Sequence, residues 1–507
     1  MKVHRAGYCV ALIAIGCMSP ELQLGEAVPA DTDPGKLSGA GAGGRAVFPP
    51  SDEGQQNSSA GTASTRTPDL GSNDGGAFVG GAGSSVGGSA SLIGGAAGGG
   101  ASAGAAGAPS NCASPLVFPD AALRQAVNRA ASGAANQAAL KSLSAEGVQS
   151  LAGIECLTKL DTLVLRNTSA DLSPLAALPN LTWLSLEGSP GVNLEGLRLL
   201  PNLTDLYLGE SGLTDIGPVG ALKRLRFLSL YANPLTDLGP VAQARELLGI
   251  EISGSLVSDL GPLTGLPLLE SIDANNAQLS DLAPLATLPR INGLRLGGNP
   301  ISQLLPLSGL STLSDLDLGH TLVSDLSPLA TLRGLQSLNL SFTDVSDLGP
   351  LASLTQLSSL GLDEAAVADL TPLSGMTLLN SLNVRDNQVV DVSPLASLTS
   401  LFHVELGGNA IADISPLAAI PGLEEINVPN NEIASLASLG SFPALRTLDI
   451  YENRITSLLG VTAPSTLRAL DLQGNLLDCA TQAAELARVG QGLEFFAHSC
   501  GAEQPRN

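Results

Sequence analysis

The sequence has few basic residues for its length. Lysine and arginine together number 24, against 47 aspartates and glutamates, and the formal net charge is −23. Because a nucleic-acid-binding protein needs a basic footprint, this balance argues against a nucleic-acid partner. It also argues against direct adhesion to an anionic membrane surface.

Groupings typical of catalysis are also missing from the sequence. The histidines stand at positions 4, 320, 403 and 498 and are far apart. The chain has no nucleophile–base spacing, no phosphate-binding glycine loop, no metal-ligand motif and no Cys-x-x-Cys pair. Since catalysis needs titratable groups that converge in a pocket, the sequence predicts a protein that is not an enzyme and that uses no metal or cofactor.

What the sequence does contain is a 22-residue unit that recurs without insertion. The second leucine position of its Leu-x-Leu core falls at Leu186, Leu208, Leu230, Ile252, Ala274, Leu296, Leu318, Leu340, Leu362, Val384, Leu406, Val428, Ile450 and Leu472. An earlier copy ends at Leu165, one residue short of this register, and a degraded copy ends at Leu143. A fixed period of this size predicts a solenoid built from stacked repeats.

Three further columns of the repeat have local structural explanations. The Leu-x-Leu core has period two, which predicts a short strand whose inward leucines are buried when parallel strands stack. A residue such as Asn233 follows the strand, and its buried amide can satisfy backbone groups where the chain turns. Aspartates such as Asp237 are predicted to cap the next turn or 3₁₀ segment, where prolines such as Pro240 preset the backbone. This capping role accounts for the aspartates without a bound metal.

The repeat resembles the 22-residue leucine-rich repeats of the internalin-like bacterial surface proteins, over roughly residues 118–500. The resemblance implies a leucine-rich-repeat solenoid, with a curved parallel sheet on the concave face and turns and 3₁₀ segments on the convex face. It also implies that the concave face binds another protein. The best-known members carry an immunoglobulin-like module and a sorting motif that this sequence does not show, so the identity of their ligands does not transfer.

Residues 1–17 are predicted to be a lipoprotein-type signal peptide. A positive start precedes an apolar run too short to span a bilayer, and residues 14–17, Ala-Ile-Gly-Cys, resemble a lipobox. Cys17 would then be the acylated first residue and the only attachment to a membrane; simple secretion is the alternative. Residues 18–110, rich in glycine, alanine and serine, are predicted to form a disordered, flexible linker.

Both ends of the solenoid are predicted to carry caps, because end strands would otherwise expose core and unpaired edges. Residues 111–142 form the N-terminal cap, with a helix after Asp120 that places Leu123 and Val127 on one face. Residues 143–477 form the repeats. Residues 478–507 form the C-terminal cap and tail, with a closing helix and a final strand.

Four cysteines lie outside the signal, namely Cys112, Cys156, Cys479 and Cys500. An even number in an exported chain predicts disulfides. Two of the three pairings would join opposite ends of a long solenoid, which disulfide geometry forbids. The predicted pairs are therefore Cys112–Cys156 and Cys479–Cys500, one in each cap.

Candidate ligand-binding residues come from the outward columns of the predicted strands. Aromatic residues make up 3% of the chain, yet Trp183, Tyr207, Phe227 and Tyr231 fall together in three consecutive repeats. Clustered exposed aromatic side chains are typical of binding hot spots. The alternative is that these rings pack on the N-terminal cap or on each other.

Acidic residues dominate the outward positions from residue 361 onward. Glu405, Asp449 and Asp471 are the candidate binding residues in this stretch, which would favour a basic partner and speed its encounter. The alternative is a solvated face that keeps the protein soluble.

The sequence thus predicts an exported, lipid-anchored, non-catalytic binding protein of the bacterial cell envelope, at the cell surface or in the periplasm. Its expected partner is another protein that is basic or presents an apolar anchor, held on the concave face. Two other functions stay open, a structural envelope component that associates with itself and a glycan binder.

Overall fold

The computed structural model of the protein describes residue 112, residues 116–131 and residues 134–500. In this part of the chain the repeats form one parallel sheet in which each strand pairs with its neighbours in sequence. The strands are β1 Ser142–Glu146, β2 Thr162–Arg166, β3 Trp183–Ser185, β4 Asp205–Tyr207, β5 Phe227–Ser229, β6 Gly249–Glu251, β7 Ser271–Asp273, β8 Gly293–Arg295, β9 Asp315–Asp317, β10 Ser337–Asn339, β11 Ser359–Gly361, β12 Ser381–Asn383, β13 His403–Glu405, β14 Glu425–Asn427, β15 Thr447–Asp449, β16 Ala469–Leu472 and β17 Phe495–His498.

Short 3₁₀ segments lie on the side of the solenoid opposite the strands. They span Ala134–Ala139, Ile154–Cys156, Ser173–Ala177, Leu194–Leu199, Gly217–Ala221, Gly239–Gln243, Gly261–Leu263, Ala283–Thr287, Leu305–Leu307, Ser327–Thr331, Gly349–Ser353, Thr371–Gly375, Ser393–Ser397, Ser415–Ala419 and Leu439–Ser441. Two α-helices cap the ends, α1 Ala121–Ala131 and α2 Cys479–Val489. The predicted leucine-rich-repeat fold, with its helical N-terminal cap and closed C-terminal cap, is confirmed.

The 22-residue register begins at β3, where Trp183 pairs with Asp205, and continues to β16. The first step is shorter, because Leu143 pairs with Leu163. Leu143 therefore takes the first leucine position of β1, and its predicted place in the second position is wrong. The turn between these strands contains a 3₁₀ segment of three residues, Ile154–Cys156.

Inward side chains of the strands and turns form one continuous apolar core. In the repeat of β5, Leu228 and Leu230 of the strand are buried together with Leu235, Leu238 and Val241 of the following turn. Each such side chain contributes about 1.5–3 kcal/mol by leaving water. Strands of three residues are stable here because every repeat buries its apolar edge against the next.

The predicted role of the asparagine column is confirmed. The Asn299 amide donates hydrogen bonds to the carbonyls of Ala274, one repeat earlier, and Leu296, and its Oδ1 accepts from the Leu279 N–H. The same bridge recurs at Asn233, Asn387, Asn409, Asn431, Asn453 and Asn475. These asparagines thus tie their turns to the preceding repeat.

The predicted role of the aspartate column is confirmed as well. Asp237 accepts a hydrogen bond from the Gly239 N–H at 2.7 Å, and Asp391 accepts from the Ser393 N–H at 2.8 Å. The other capping aspartates are Asp171, Asp215, Asp259, Asp281, Asp325, Asp347, Asp369 and Asp413. Hydrogen bonding from Ser393 lowers the pKa of Asp391. Proline stands at the first or second position of the 3₁₀ segments that these residues cap, as at Pro240.

The N-terminal cap contains α1, which buries Leu123 and Val127 as predicted. Asp120 begins the helix by accepting a hydrogen bond from the Leu123 N–H. Its second carboxylate oxygen accepts from the Gln149 N–H, which ties the cap to the turn after β1. At the other end, Asp478 begins α2 by accepting from the backbone N–H of its second residue.

Both predicted disulfides are present. Cys112 pairs with Cys156 at a Cα–Cα distance of 5.4 Å, and Cys479 pairs with Cys500 at 5.2 Å. Each bond therefore closes one cap.

The predicted signal peptide, residues 1–17 with Cys17, and the predicted linker, residues 18–110, lie outside the described residues. Within the described part, neither helix has the length and apolarity needed to cross a membrane.

Candidate ligand-binding face

The outward side chains of the strands form one surface, here called the strand face. Each strand contributes a residue before its first leucine, a residue between its two leucines and a residue after the second. Trp183 and Phe227 occupy the first of these columns, Tyr207 the second and Tyr231 the third. These four residues, here called the aromatic patch, cover three consecutive repeats, and all four are half-buried.

The rings of the aromatic patch pack on each other and on glycines. The Trp183 and Tyr207 ring centroids are 4.8 Å apart, with ring planes inclined by 38°. Tyr231 lies across Gly209, where a Cβ atom would come within 2.0 Å of the tyrosine ring. Phe227 lies against Gly249 in the same way, since a Cβ atom on this glycine would be 3.2 Å from the phenylalanine ring. Trp183 and Tyr207 therefore pack on each other, whereas Tyr231 and Phe227 pack on glycines of adjacent strands, and part of each of the four residues stays exposed.

Carboxylates surround the aromatic patch. Burial, together with the negative charges of Glu187, Glu210 and Glu251, raises the pKa of Tyr231 to about 12. The positive charge of Arg166 opposes this shift. Burial is also the largest cause that raises the pKa of Glu187 and the pKa of Glu251. Negative charge therefore predominates around the Tyr231 hydroxyl, and two of its sources, Glu187 and Glu251, are half-buried.

These carboxylates were missed at the sequence level. The predicted acidic stretch began at residue 361, whereas Glu187 lies after the second leucine of β3 and Glu251 lies between the leucines of β6. The repeat columns that indicated the aromatic patch contain both residues. Charge read along the same columns, rather than along the sequence, is the signal that would have found them.

The acidic stretch after residue 361 is partly neutralised by its own basic residues. Arg385 pairs with Asp363 at 3.2 Å and with Asp386 at 3.1 Å. His403 lies between Glu405, at 3.2 Å, and Glu425, at 3.0 Å. Arg385 therefore offsets part of the negative charge predicted for a partner, whereas His403 offsets charge only when its ring is protonated.

The three acidic candidates differ in accessibility. Glu405 is half-buried and also accepts a hydrogen bond from the Asn427 side chain. Asp449 is half-buried. Asp471 is only 1% exposed, and its carboxylate accepts a hydrogen bond from the Gln473 N–H. The predicted outward, accessible position of Asp471 is therefore wrong.

Metal binding finds no support in the described part of the chain, which contains no group of three or more histidine, cysteine, aspartate or glutamate side chains placed to hold an ion. His403 has only carboxylates as its partners. His320 stacks on the Phe342 ring, with centroids 4.1 Å apart. These contacts of His403 and His320 include no nucleophilic side chain.

Solved structures place this solenoid in a family. An internalin, InlF from Listeria monocytogenes, shares 30% sequence identity with this chain, with a TM-score of 0.58; the match covers 63% of this chain and 98% of InlF. This chain belongs to the internalin-like leucine-rich-repeat proteins. No protein-family model and no curated protein sequence matches it.

Two structures of lower identity share the internalin-like fold. A leucine-rich-repeat protein of Leptospira interrogans is 20% identical, with a TM-score of 0.57, over 71% of this chain and 91% of that chain. The Drosophila Toll receptor, solved in its complex with Spätzle, is 21% identical, with a TM-score of 0.51, over 63% of this chain and 52% of that chain. At these identities the likeness shows the fold alone.

Proposed function

We propose that this internalin-like protein is a non-catalytic binding protein that holds another protein on its strand face, with the aromatic patch as the anchor. The observation that carries this proposal is the group of four half-buried aromatic side chains on the strand face, in which Trp183 packs on Tyr207 while Tyr231 and Phe227 pack on glycines. Large rings held by such contacts lose little conformational freedom on binding, which is a property of interface hot spots.

Two further points support a binding role. The solenoid presents a long row of outward side chains rather than a closed site, and such surfaces suit extended contacts with a macromolecule. The same fold holds a protein ligand in the Toll–Spätzle complex. The partner proposed here is a protein of the bacterial envelope or of its surroundings.

Export is part of the proposal. One disulfide closes each cap, and disulfides persist in oxidising compartments outside the cytosol. The proposed anchor is a lipid on Cys17. In cells fed labelled palmitate, the wild-type chain should take up the label and a Cys17→Ala variant should not. Label on both proteins would show that a lipid is attached at a residue other than Cys17, and label on neither would leave simple secretion as the alternative.

The binding role is tested by capture from envelope extract, with the full chain as bait. A variant with Trp183, Tyr207 and Tyr231 all changed to Ala removes the anchor. A matched control changes Leu305, which is 70% exposed, and Leu459, which is 79% exposed, to Ala, so that apolar area is lost away from the strand face. The proposal expects a partner on the wild type and the control but not on the aromatic variant.

Other outcomes of the capture decide between the remaining functions. Retention of the partner by the folded aromatic variant would move the binding site to the stretch after residue 361. No partner at all, together with concentration-dependent association in sedimentation runs, would support a self-associating structural component. Release of the captured material by soluble glycans would support glycan binding.

A further inference from the structure

The charged side chains near the aromatic patch are mostly negative. The charges of Glu187, Glu210 and Glu251 act on the Tyr231 hydroxyl, and Arg166 acts against them. Glu187 and Glu251 are half-buried, so water screens their charges less than it screens those of exposed carboxylates. An anionic group on this part of the strand face would therefore be repelled, and a cationic group attracted.

The rings offer a second attraction to a cation. The faces of tryptophan and tyrosine rings carry negative potential, and an ammonium or guanidinium group within about 6 Å of a ring centroid is attracted to it. The Trp183 and Tyr207 planes are inclined by 38°, so the two faces are not closed on each other as in a parallel stack. Tyr231 is held across Gly209 beside them.

A serine hydroxyl lies under the patch, beside one of these carboxylates. Ser185 lies in β3, in the outward column between Trp183 and Glu187, and it is only 1% exposed. Its hydroxyl acts on the Glu187 carboxylate and lowers the pKa of that group, against the larger opposing effect of burial.

The two half-buried carboxylates point to the same ligand chemistry. Burial disfavours the charged form of Glu187 and of Glu251, and it raises the pKa of each. A bound cation would offset that desolvation, whereas an uncharged apolar group would increase it. The site therefore discriminates between a basic side chain and an apolar side chain of equal length.

We infer that the aromatic patch, with Glu187 and Glu251, binds a lysine or arginine side chain of the protein partner. This inference rests on the proposed function and specifies the group that the patch recognises. The cation lies against the rings of Trp183, Tyr207 and Tyr231, and its N–H groups face the carboxylates.

The site contains its own reporter, because Trp183 is the one tryptophan of the sequence. The full chain is titrated with twelve-residue peptides made of four Lys-Gly-Ser units, with norleucine or glutamate replacing lysine in two comparison peptides. Norleucine keeps the length of the lysine stem and removes the charge. The lysine peptide should change Trp183 fluorescence saturably at a concentration at least tenfold lower than the norleucine peptide, and the glutamate peptide should have no effect.

Two double variants with equal loss of charge separate this site from general attraction. Glu187→Gln with Glu251→Gln should weaken lysine-peptide binding at least tenfold while the thermal midpoint does not fall. Glu405→Gln with Glu425→Gln removes the same charge far along the strand face and should leave binding within twofold of the wild type. Equal responses to the lysine and norleucine peptides, or equal weakening by both double variants, would overturn the inference.

Failure of this inference can be told from failure of the proposed function. If envelope capture is lost in the aromatic variant but kept by Glu187→Gln with Glu251→Gln, the binding role stands and the cationic group is wrong. If the lysine peptide binds as expected but the extract yields no partner, the site takes cations and the proposed protein-binding role fails.

Discussion

The Asn233 side-chain amide donates a hydrogen bond of 2.9 Å to the carbonyl oxygen of Leu208, one repeat earlier in the chain. The same amide nitrogen donates to the Leu230 carbonyl, and Asn233 Oδ1 accepts from the Ser211 and Leu213 N–H groups. Asn233 is fully buried, so none of these backbone groups has water as a substitute. A side chain thus replaces the hydrogen bonds that the backbone gives up where each repeat leaves the sheet.

Asn233→Ala should lower the free energy of unfolding by about 2–4 kcal/mol, because it leaves several buried backbone groups unsatisfied. Urea unfolding followed by circular dichroism measures this loss. Asn475→Ala provides the control, since Asn475 makes the same bridge to Ile450 in a half-buried position where water can replace it. Asn475→Ala should lower the free energy of unfolding by at most half as much as Asn233→Ala. Equal losses would show that burial of the asparagine is not the cause.

Most of the fold could be predicted from the sequence, because each column of the repeat does one local task. Leucines such as Leu230 bury the strand edge, and Asp237 and Pro240 build the turn. The register at the start could not be predicted, since the first two steps of the sheet, Leu143 to Leu163 and Leu163 to Leu184, are shorter than the 22-residue period. Burial of Asp471 could not be predicted either, because the period puts it in the same outward column as Asp449, which is half-buried.

The candidate site could be predicted only in part. The period put the aromatic patch on one face, but residue spacing gives no information about how deeply Glu187 and Glu251 are buried. The residue after each third outward column also has a positive φ, as at Ala232 and Phe342. The amino acids in that column are too varied to show the left-handed backbone, so this feature is visible only in the structure.

The left-handed column predicts how glycine replacements will behave. Gly298 and Gly254 both have positive φ, at 67° and 66°. Gly254→Ala should cost about 1–2 kcal/mol from the backbone conformation alone, since the nearest atom to a new Cβ is 3.6 Å away. Gly298→Ala should cost more, because its Cβ would lie 2.1 Å from the Asn276 side-chain oxygen. Thermal unfolding of both variants tests this order, and a less stable Gly254→Ala would contradict it.

Each disulfide should stabilise its own end of the solenoid. The loop closed by Cys479 and Cys500 spans 21 residues and should contribute about 3 kcal/mol in the chain-entropy model, and the 44-residue loop of Cys112 and Cys156 should contribute about 4 kcal/mol. In a stacked repeat each unit contacts mainly its neighbours. Replacing Cys479 and Cys500 by Ala should therefore speed amide hydrogen exchange in β16 and β17 and leave β5 unchanged. Faster exchange throughout the sheet would show that the end bond acts on the whole solenoid.

The carboxylates of Glu187 and Glu251, beside the aromatic patch, should make the folded chain less stable as the pH rises. The pKa of Glu187 and the pKa of Glu251 are raised, chiefly by burial, so the folded chain holds these protons to higher pH than the unfolded chain does. Their contribution to stability is fully present below the unfolded glutamate pKa and is lost as the pH rises through the folded values. Replacing both by Gln should raise the thermal midpoint at pH 7 relative to the wild type, and this gain should shrink as the pH falls below the ordinary glutamate range.

The pKa of Asp391 is shifted in the opposite direction, so this residue serves as the comparison. Its pKa is lowered by the hydrogen bond from the Ser393 N–H, so its contribution is present above the unfolded aspartate pKa and is lost as the pH falls through the folded value. Asp391→Ala should therefore be less stable than the wild type at pH 7 and approach it in acid. Melting curves from pH 3 to pH 8 for both variants would show midpoint differences of opposite sign at neutral pH that converge toward low pH. Parallel curves for the Gln variant and the wild type would show that Glu187 and Glu251 are not destabilised by burial, and would remove the electrostatic reason for a cation to bind beside them.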